Sequence, residues 1–112
     1  MIKILFICHG NICRSLAAEM VMRQMTEAYK GRFQIDSAAT TNEEIGNGIY
    51  PPMRRALDNR GIRMVPHRAR KTTRDDYQNC DYIIGMDNEN WYDLRSIYGG
   101  DPEGKVSLLM SW

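Results

Sequence analysis

Residues 3–15 read Lys3-Ile4-Leu5-Phe6-Ile7-Cys8-His9-Gly10-Asn11-Ile12-Cys13-Arg14-Ser15, and the fold follows from how this stretch changes character. Lys3 to Cys8 is a short apolar run bounded by His9-Gly10-Asn11, the pattern of a strand buried on both faces of a parallel sheet. From Ser15 to about Tyr29 the chain has no Gly or Pro and is rich in Ala, Met, Glu and Gln. Apolar residues recur at Leu16, Met20, Val21, Met25 and Ala28, which predicts a helix closed near Gly31. The methionines at helical spacing read as core filler. A strand that passes through a short loop into a helix is an α/β beginning.

Working outward, Phe33 to Ser37 alternates as a second strand, and Ala38 to Pro52 is a long loop rich in Thr, Asn, Gly and Pro. Pro51-Pro52 opens a short second helix through Met53, Ala56 and Leu57, ended by Gly61. Thr72 or Thr73, each followed three residues later by an aspartate, caps a brief third helix to about Gln78. Asp81 to Met86 reads as a third strand. Asp87-Asn88-Glu89 starts a fourth helix, broken at Gly99-Gly100-Asp101-Pro102, and Val106 to Met110 reads as a fourth strand. Strands separated by helices predict one domain: an α/β fold with an open, parallel, four-stranded sheet and flanking helices. Its ligand site should lie beyond the strands' carboxyl ends, where Cys8 sits.

At 112 residues the chain suits one core. Hydrophobic residues at 43% and charged residues at 26% describe a globular protein, and no apolar run approaches the roughly 20 residues of a membrane span. Ile2 to Ile7 is too short for a signal peptide's apolar region, so a cytoplasmic location and no membrane association are expected. The net charge of +1 and the local clusters Arg54-Arg55 and His67-Arg68-Ala69-Arg70-Lys71 read as solvated faces, so no nucleic-acid partner is expected. Three cysteines, Cys8, Cys13 and Cys80, form no paired framework and argue for reduced thiols.

The chemistry concentrates in Cys8-His9-Gly10-Asn11-Ile12-Cys13-Arg14-Ser15. Between a strand and a helix, its successive backbone N–H groups can converge on one tetrahedral anion. Gly10 permits the tight turn, and the Arg14 guanidinium can fork onto two phosphate oxygens. The same positive environment favours the Cys8 thiolate. Ser15 can donate to that sulfur, and Asn11 can hold the loop's shape. Each residue alone reads as packing, turn or cap; the complete Cys-x5-Arg-Ser element in this context points to phosphate.

This loop is similar to the Cys-x-Gly-Asn-x-Cys-Arg-Ser signature of the low-molecular-weight protein tyrosine phosphatases. Asp36-Ser37-Ala38-Ala39-Thr40, Asn59-Arg60-Gly61-Ile62, His67-Arg68-Ala69-Arg70 and Asp81-Tyr82-Ile83-Ile84-Gly85-Met86-Asp87 resemble further segments of that family, in family order. The resemblance implies a flavodoxin-like topology over residues 1–112 and attack by Cys8 on phosphorus. A cysteinyl-phosphate would form, and Arg14 and the loop amides from His9 to Arg14 would stabilise the transferring group. It also implies a supporting network of Asn11, Ser15, Ser37 and His67, and a redox role for Cys13, able to trap an oxidised Cys8 as a disulfide. Neither a cofactor nor a metal is implied.

Three departures temper this expectation. The family's acid lies in an Asp-Pro loop beyond the fourth strand, whereas Asp101-Pro102 precedes that strand and reads as an ordinary loop. The domain is therefore expected to be incomplete at its C-terminus, with turnover reduced by the roughly 10²- to 10⁴-fold that acid–base groups contribute. An uncovered sheet face should favour self-association into a homo-oligomer, or marginal stability. Glu43 stands where many relatives place an aromatic wall, with Tyr50 further along the loop, and Leu16 replaces a common proline, which loosens the expected helix start. The expected substrates are phosphotyrosine proteins or small aryl phosphates. The alternatives are a phosphotyrosine or oxyanion binder without productive turnover and, third, an arsenate reductase, for which Cys80 offers no clear resolving arrangement.

Overall fold

The structure, a computed structural model, describes residues 1–29 and 31–111. Four parallel strands, β1 (Ile2–Cys8), β2 (Phe33–Ala39), β3 (Tyr82–Gly85) and β4 (Val106–Leu108), lie in the order β2-β1-β3-β4. Helices α1 (Arg14–Met25), α2 (Pro51–Asn59), α3 (Arg74–Asn79) and α4 (Asn88–Tyr98) connect them. β1 is central, and alternate residues feed opposite cores, as the two-residue period of a strand requires. Leu5 and Ile7 pack with Tyr77 of α3 and with Leu94 and Tyr98 of α4. Phe6 packs with Ile35 and Ile84 and against Ala18 and Met22 of α1. A third cluster joins Leu16 and Met20 of α1 to Leu57 of α2. Leu16 is fully buried there, a burial of roughly 1.5–3 kcal/mol.

The expected α/β order stands, with corrections at element ends. The first helix stops at Met25, not near Tyr29, with the Thr26 N–H and hydroxyl both donating to Met22 O, at 3.0 and 2.8 Å. The chain continues as a 3₁₀ turn, Glu27–Tyr29. Met20 fills the core as expected, but Met25 is 68% exposed. β2 runs two residues past Ser37, because Ala38 and Ala39 pair with Ile7 and Cys8. The third strand is shorter than expected, since Asp81 accepts a hydrogen bond from Lys3 N and Asp87 caps α4. β4 ends at Leu108 and turns into a 3₁₀ segment, Leu109–Ser111. Trp112, the end of the expected strand exit, lies outside the described residues.

The α1 side of the sheet carries an apolar groove lined by Ile4, Phe6, Met22, Phe33, Tyr82 and Ile84. No helix among the described residues is long and apolar enough to cross a membrane. Since β2 and β3 flank β1 on opposite sides, the crossovers diverge at its carboxyl end. That divergence opens the crevice where α/β folds bind ligands, and Cys8 is the last residue of β1.

Candidate active site

The segment from Cys8 to Ser15 closes back on its own first residue. Cys8, 3% exposed, has its Sγ 3.3 Å from the Asn11 N–H that donates to it and 3.0 Å from Ser15 Oγ. Asn11 has φ +60°, a left-handed conformation that costs a non-glycine residue roughly 1–2 kcal/mol. Its side chain offsets that cost. Asn11 Nδ2 donates to Ser15 Oγ at 2.9 Å, and Oδ1 accepts from His67 Nε2 at 2.7 Å and from Arg70 N at 3.3 Å.

The direction of this chain follows from donor inventory. An amide oxygen only accepts, so His67 Nε2 carries a proton. The Asn11 amide nitrogen only donates, so Ser15 Oγ accepts from it and keeps its own hydrogen for Cys8 Sγ. Two donors, the Asn11 N–H and the Ser15 O–H, thus converge on the sulfur.

The network begins at a residue that the sequence reading passed over. Glu19, 1% exposed, accepts from Ser37 Oγ and from Arg23 Nε, both at 2.6 Å, and lies 3.5 Å from His67 Nδ1. Ser37 therefore reaches the loop through Glu19 and His67. A signal was present, since Glu19 shares the face of α1 with buried Leu16 and Met20 and a charge on an apolar stripe needs a partner. Glu19, Asp36 and His67 bring one ligand atom each within 4.8 Å of one another. Arg23 and Arg70 already pair with the two carboxylates, so the group is an ion-pair network.

The loop is also held from outside. Ile12 O accepts from Tyr50 N at 2.8 Å and His9 O from the Thr41 hydroxyl at 2.9 Å. A Cβ on Gly10 would lie 3.2 Å from the Glu44 side chain, so glycine lets the 40–50 loop settle on the phosphate loop. Glu43 makes a polar contact in place of an aromatic wall, with Oε2 2.8 Å from His9 Nε2. His9 Nδ1 lies 3.6 Å from Glu89. The His9 side chain is thus drawn toward two carboxylates, and its pKa is raised, chiefly by the Glu43 hydrogen bond.

Arg14 begins α1 and is half exposed, its Nη1 donating to Asp87 Oδ2 at 3.0 Å. No side chain caps α1 at Cys13, and its first turn carries no acidic residue. The first amides of that helix are therefore open to an anion, with Arg14 beside them. The Cys13 thiol is pushed up by burial and by Cys8, against Arg14, which disfavours a second thiolate. Asp101 serves its own loop, accepting from Tyr77 OH at 2.6 Å, Lys105 N at 2.8 Å and Val106 N at 3.1 Å. Cys80 is half-buried, lines a cavity with Arg70 and Asp76, and burial pushes its pKa to about 11.

An uncapped helix start, a sulfur receiving two donors and an adjacent arginine form an arrangement that could hold a tetrahedral oxyanion. The family model for "Low molecular weight phosphotyrosine protein phosphatase" matches residues 3–112. The Gallus gallus protein of that description is 44% identical over 96% of this chain and 70% of its own. The crystal structure of YfkJ from Bacillus subtilis superposes with a TM-score of 0.94 at 35% identity, covering 99% of this chain and 71% of that one. That of SP-PTP, a low molecular weight protein tyrosine phosphatase from Streptococcus pyogenes, gives 0.90 at 34% identity over 96% and 71%. With the Cys8 to Ser15 loop at the end of β1 and this match along nearly its whole length, the chain belongs to the low molecular weight phosphotyrosine protein phosphatase family.

Proposed function

We propose that the chain is a cysteine-dependent phosphatase acting on phosphotyrosine or small aryl phosphates. The observation that carries this reading is the Cys8 sulfur, buried and receiving the Asn11 N–H and the Ser15 hydroxyl at the open start of α1. Those donors stabilise a thiolate and, later, a departing sulfur. The thiolate attacks phosphorus, an S–P bond forms, and the P–O bond to the aryl group breaks with its electron pair leaving on the phenolate. The α1 amides and Arg14 stabilise charge on the equatorial oxygens. Water then attacks phosphorus, releasing phosphate and regenerating Cys8. Cys13, kept as a thiol beside this centre, is positioned in sequence to trap an oxidised Cys8.

Two of the described aspartates have other commitments. Asp87 holds Arg14 and caps α4, and Asp101 organises the loop before β4. Protonation of the leaving group is then weakly supported, and the rate should fall steeply as the leaving phenol becomes less acidic. Hydrolysis of p-nitrophenyl phosphate in the presence of EDTA tests the assignment, with Cys8→Ser as control. The expected result is turnover that Cys8→Ser abolishes. Equal rates in the two proteins defeat the phosphatase reading, and phosphate protection of Cys8 from alkylation without turnover favours an oxyanion binder instead.

A further inference from the structure

We propose that Arg70, outside the phosphate loop, is a positioning residue for it, acting through the backbone that clamps Asn11. The inference rests on reading Cys8 to Ser15 as the phosphate site, and it names what keeps that loop in its binding shape.

Residues 65–71 contain no helix or named strand, and Ala69, bonded to Gly46 and Asn47, and Arg68, bonded to Gly46, tie them to the 40–50 loop. This segment supplies both donors to Asn11 Oδ1, His67 Nε2 and Arg70 N. The Arg70 side chain adds a tether to β2 and α3. Nη1 and Nη2 donate to the two oxygens of Asp76 at 2.9 and 3.2 Å, and Nη2 also donates to Asp36 Oδ2 at 2.9 Å. Arg70 thereby joins β2, which carries Asp36, to α3, which carries Asp76. Its own backbone is sewn to the end of β2: Ala39 N donates to Arg70 O at 2.7 Å and Thr72 N to Ala39 O at 2.8 Å. Ala39 in turn pairs in register with Cys8.

A half-exposed ion pair is ordinarily a weak contributor, but this one is bidentate on Asp76 and shared with a second carboxylate. Asp76 is fixed from its other side, accepting from Thr72 Oγ1 at 2.8 Å and Thr73 N at 3.0 Å. Burial opposes its ionisation, yet the Arg70 bond, with those from Thr73 and Thr72, holds its pKa below the ordinary carboxylate value. The anchor is rigid at both ends. Releasing it leaves the segment that holds Asn11 in its left-handed conformation on its backbone bonds to Ala39, Gly46 and Asn47, and as Asn11 loosens so do the amide and the hydroxyl aimed at Cys8.

The test uses the whole chain and inorganic phosphate. The dissociation constant of phosphate is read from protection of Cys8 against iodoacetamide, alongside kcat and KM for p-nitrophenyl phosphate. Arg70→Gln should weaken phosphate about tenfold, less than the roughly 100-fold of a 1 Å misplacement, and Arg70→Lys should recover part of it. Val106→Ala, on the far edge strand β4, is the stability control: it should lower Tm while leaving phosphate affinity within twofold. Should Arg70→Gln not fold, Asp76→Asn gives the same reading with a smaller loss. Arg70→Gln, or Asp76→Asn in its place, that lowers Tm but binds phosphate within twofold of wild type overturns the inference. Absence of phosphate protection in the wild type overturns the phosphate-site reading itself and this inference with it.

Discussion

The starts of α1 and α4 stand side by side, joined by Arg14 and Asp87, and are built in opposite ways. At α4 the chain satisfies its own first turn: Asp87 Oδ1 accepts from Asn90 N at 2.9 Å, and Asn90 Oδ1 accepts from Met86 N and Asp87 N. The Asn90 bond, against some burial and aided by Arg14, lowers the Asp87 pKa. At α1 neither cap nor acidic residue is present, and a cation begins the helix. Every helix start leaves donors unpaired. The difference teaches that openness matters through its neighbours: α2 also begins without a capping side chain or an acidic first turn, whereas the open start of α1 adjoins Cys8 and Arg14, an arrangement suited to an oxyanion.

Closing the open start should have the largest effect. Cys13→Asp places a carboxylate where α1 lacks one, and a like charge ~5 Å from a phosphate oxygen costs roughly 3 kcal/mol at an effective dielectric of about 20. Phosphate protection of Cys8 should weaken at least about 100-fold, while thermal unfolding is unchanged or improved by the new cap. Binding retained within tenfold would mean that the amides of α1 are not the oxyanion site.

Opening the closed start is the complementary change. Asp87→Ala removes the cap of α4 and should destabilise by about 1 kcal/mol, a fall in Tm of roughly 4–8 °C for a domain of about this size. Asp87→Asn keeps a good capping side chain and should cost a few tenths of that. Scanning calorimetry of the two variants separates cap from charge; equal Tm values for Ala and Asn would leave the cap without a role.

The smallest effect sharpens the comparison at the rim, where Glu89, in the first turn of α4, and Glu43 both approach His9. Asp93 adds a weaker field. Because the folded pKa of His9 is raised above its ordinary 6.5, the His9 contact is fully formed below that ordinary value. It is lost as pH rises through the raised one. Glu43→Gln should lower the His9 midpoint in an NMR titration, and an unmoved midpoint would show that the contact does not persist in solution.

Much of this site was legible in the residues. Cys8, Gly10, Asn11, Arg14 and Ser15 lie within eight consecutive positions, so one strand-to-helix turn suffices to bring them together. Thr73 with Asp76, and Asp87 before Asn88, announced caps because capping acts over three residues and needs no tertiary partner. Helix ends were less legible: α1 gives way after Thr26 to the 3₁₀ turn Glu27–Tyr29, a change of winding that apolar periodicity does not report. Arg70 and the 67–71 cluster read as a solvated face because charge in a sequence does not reveal which carboxylates will meet it.

The sequence by itself determined the order of elements, the parallel sheet and the cysteine proposed as nucleophile. These depend on local period, on turn chemistry and on one contiguous loop. Only the tertiary structure decided how that loop is held. Glu19, Ser37 and the pair His67 and Arg70 come from three separated places in the chain, and their bonds to Asn11 and to one another exist only once β1 and β2 pair and the 65–71 segment lies along them. Hydrogen bonds act over about 3 Å, so residues as far apart in the chain as Asn11 and Arg70 are partners only because the fold makes them neighbours.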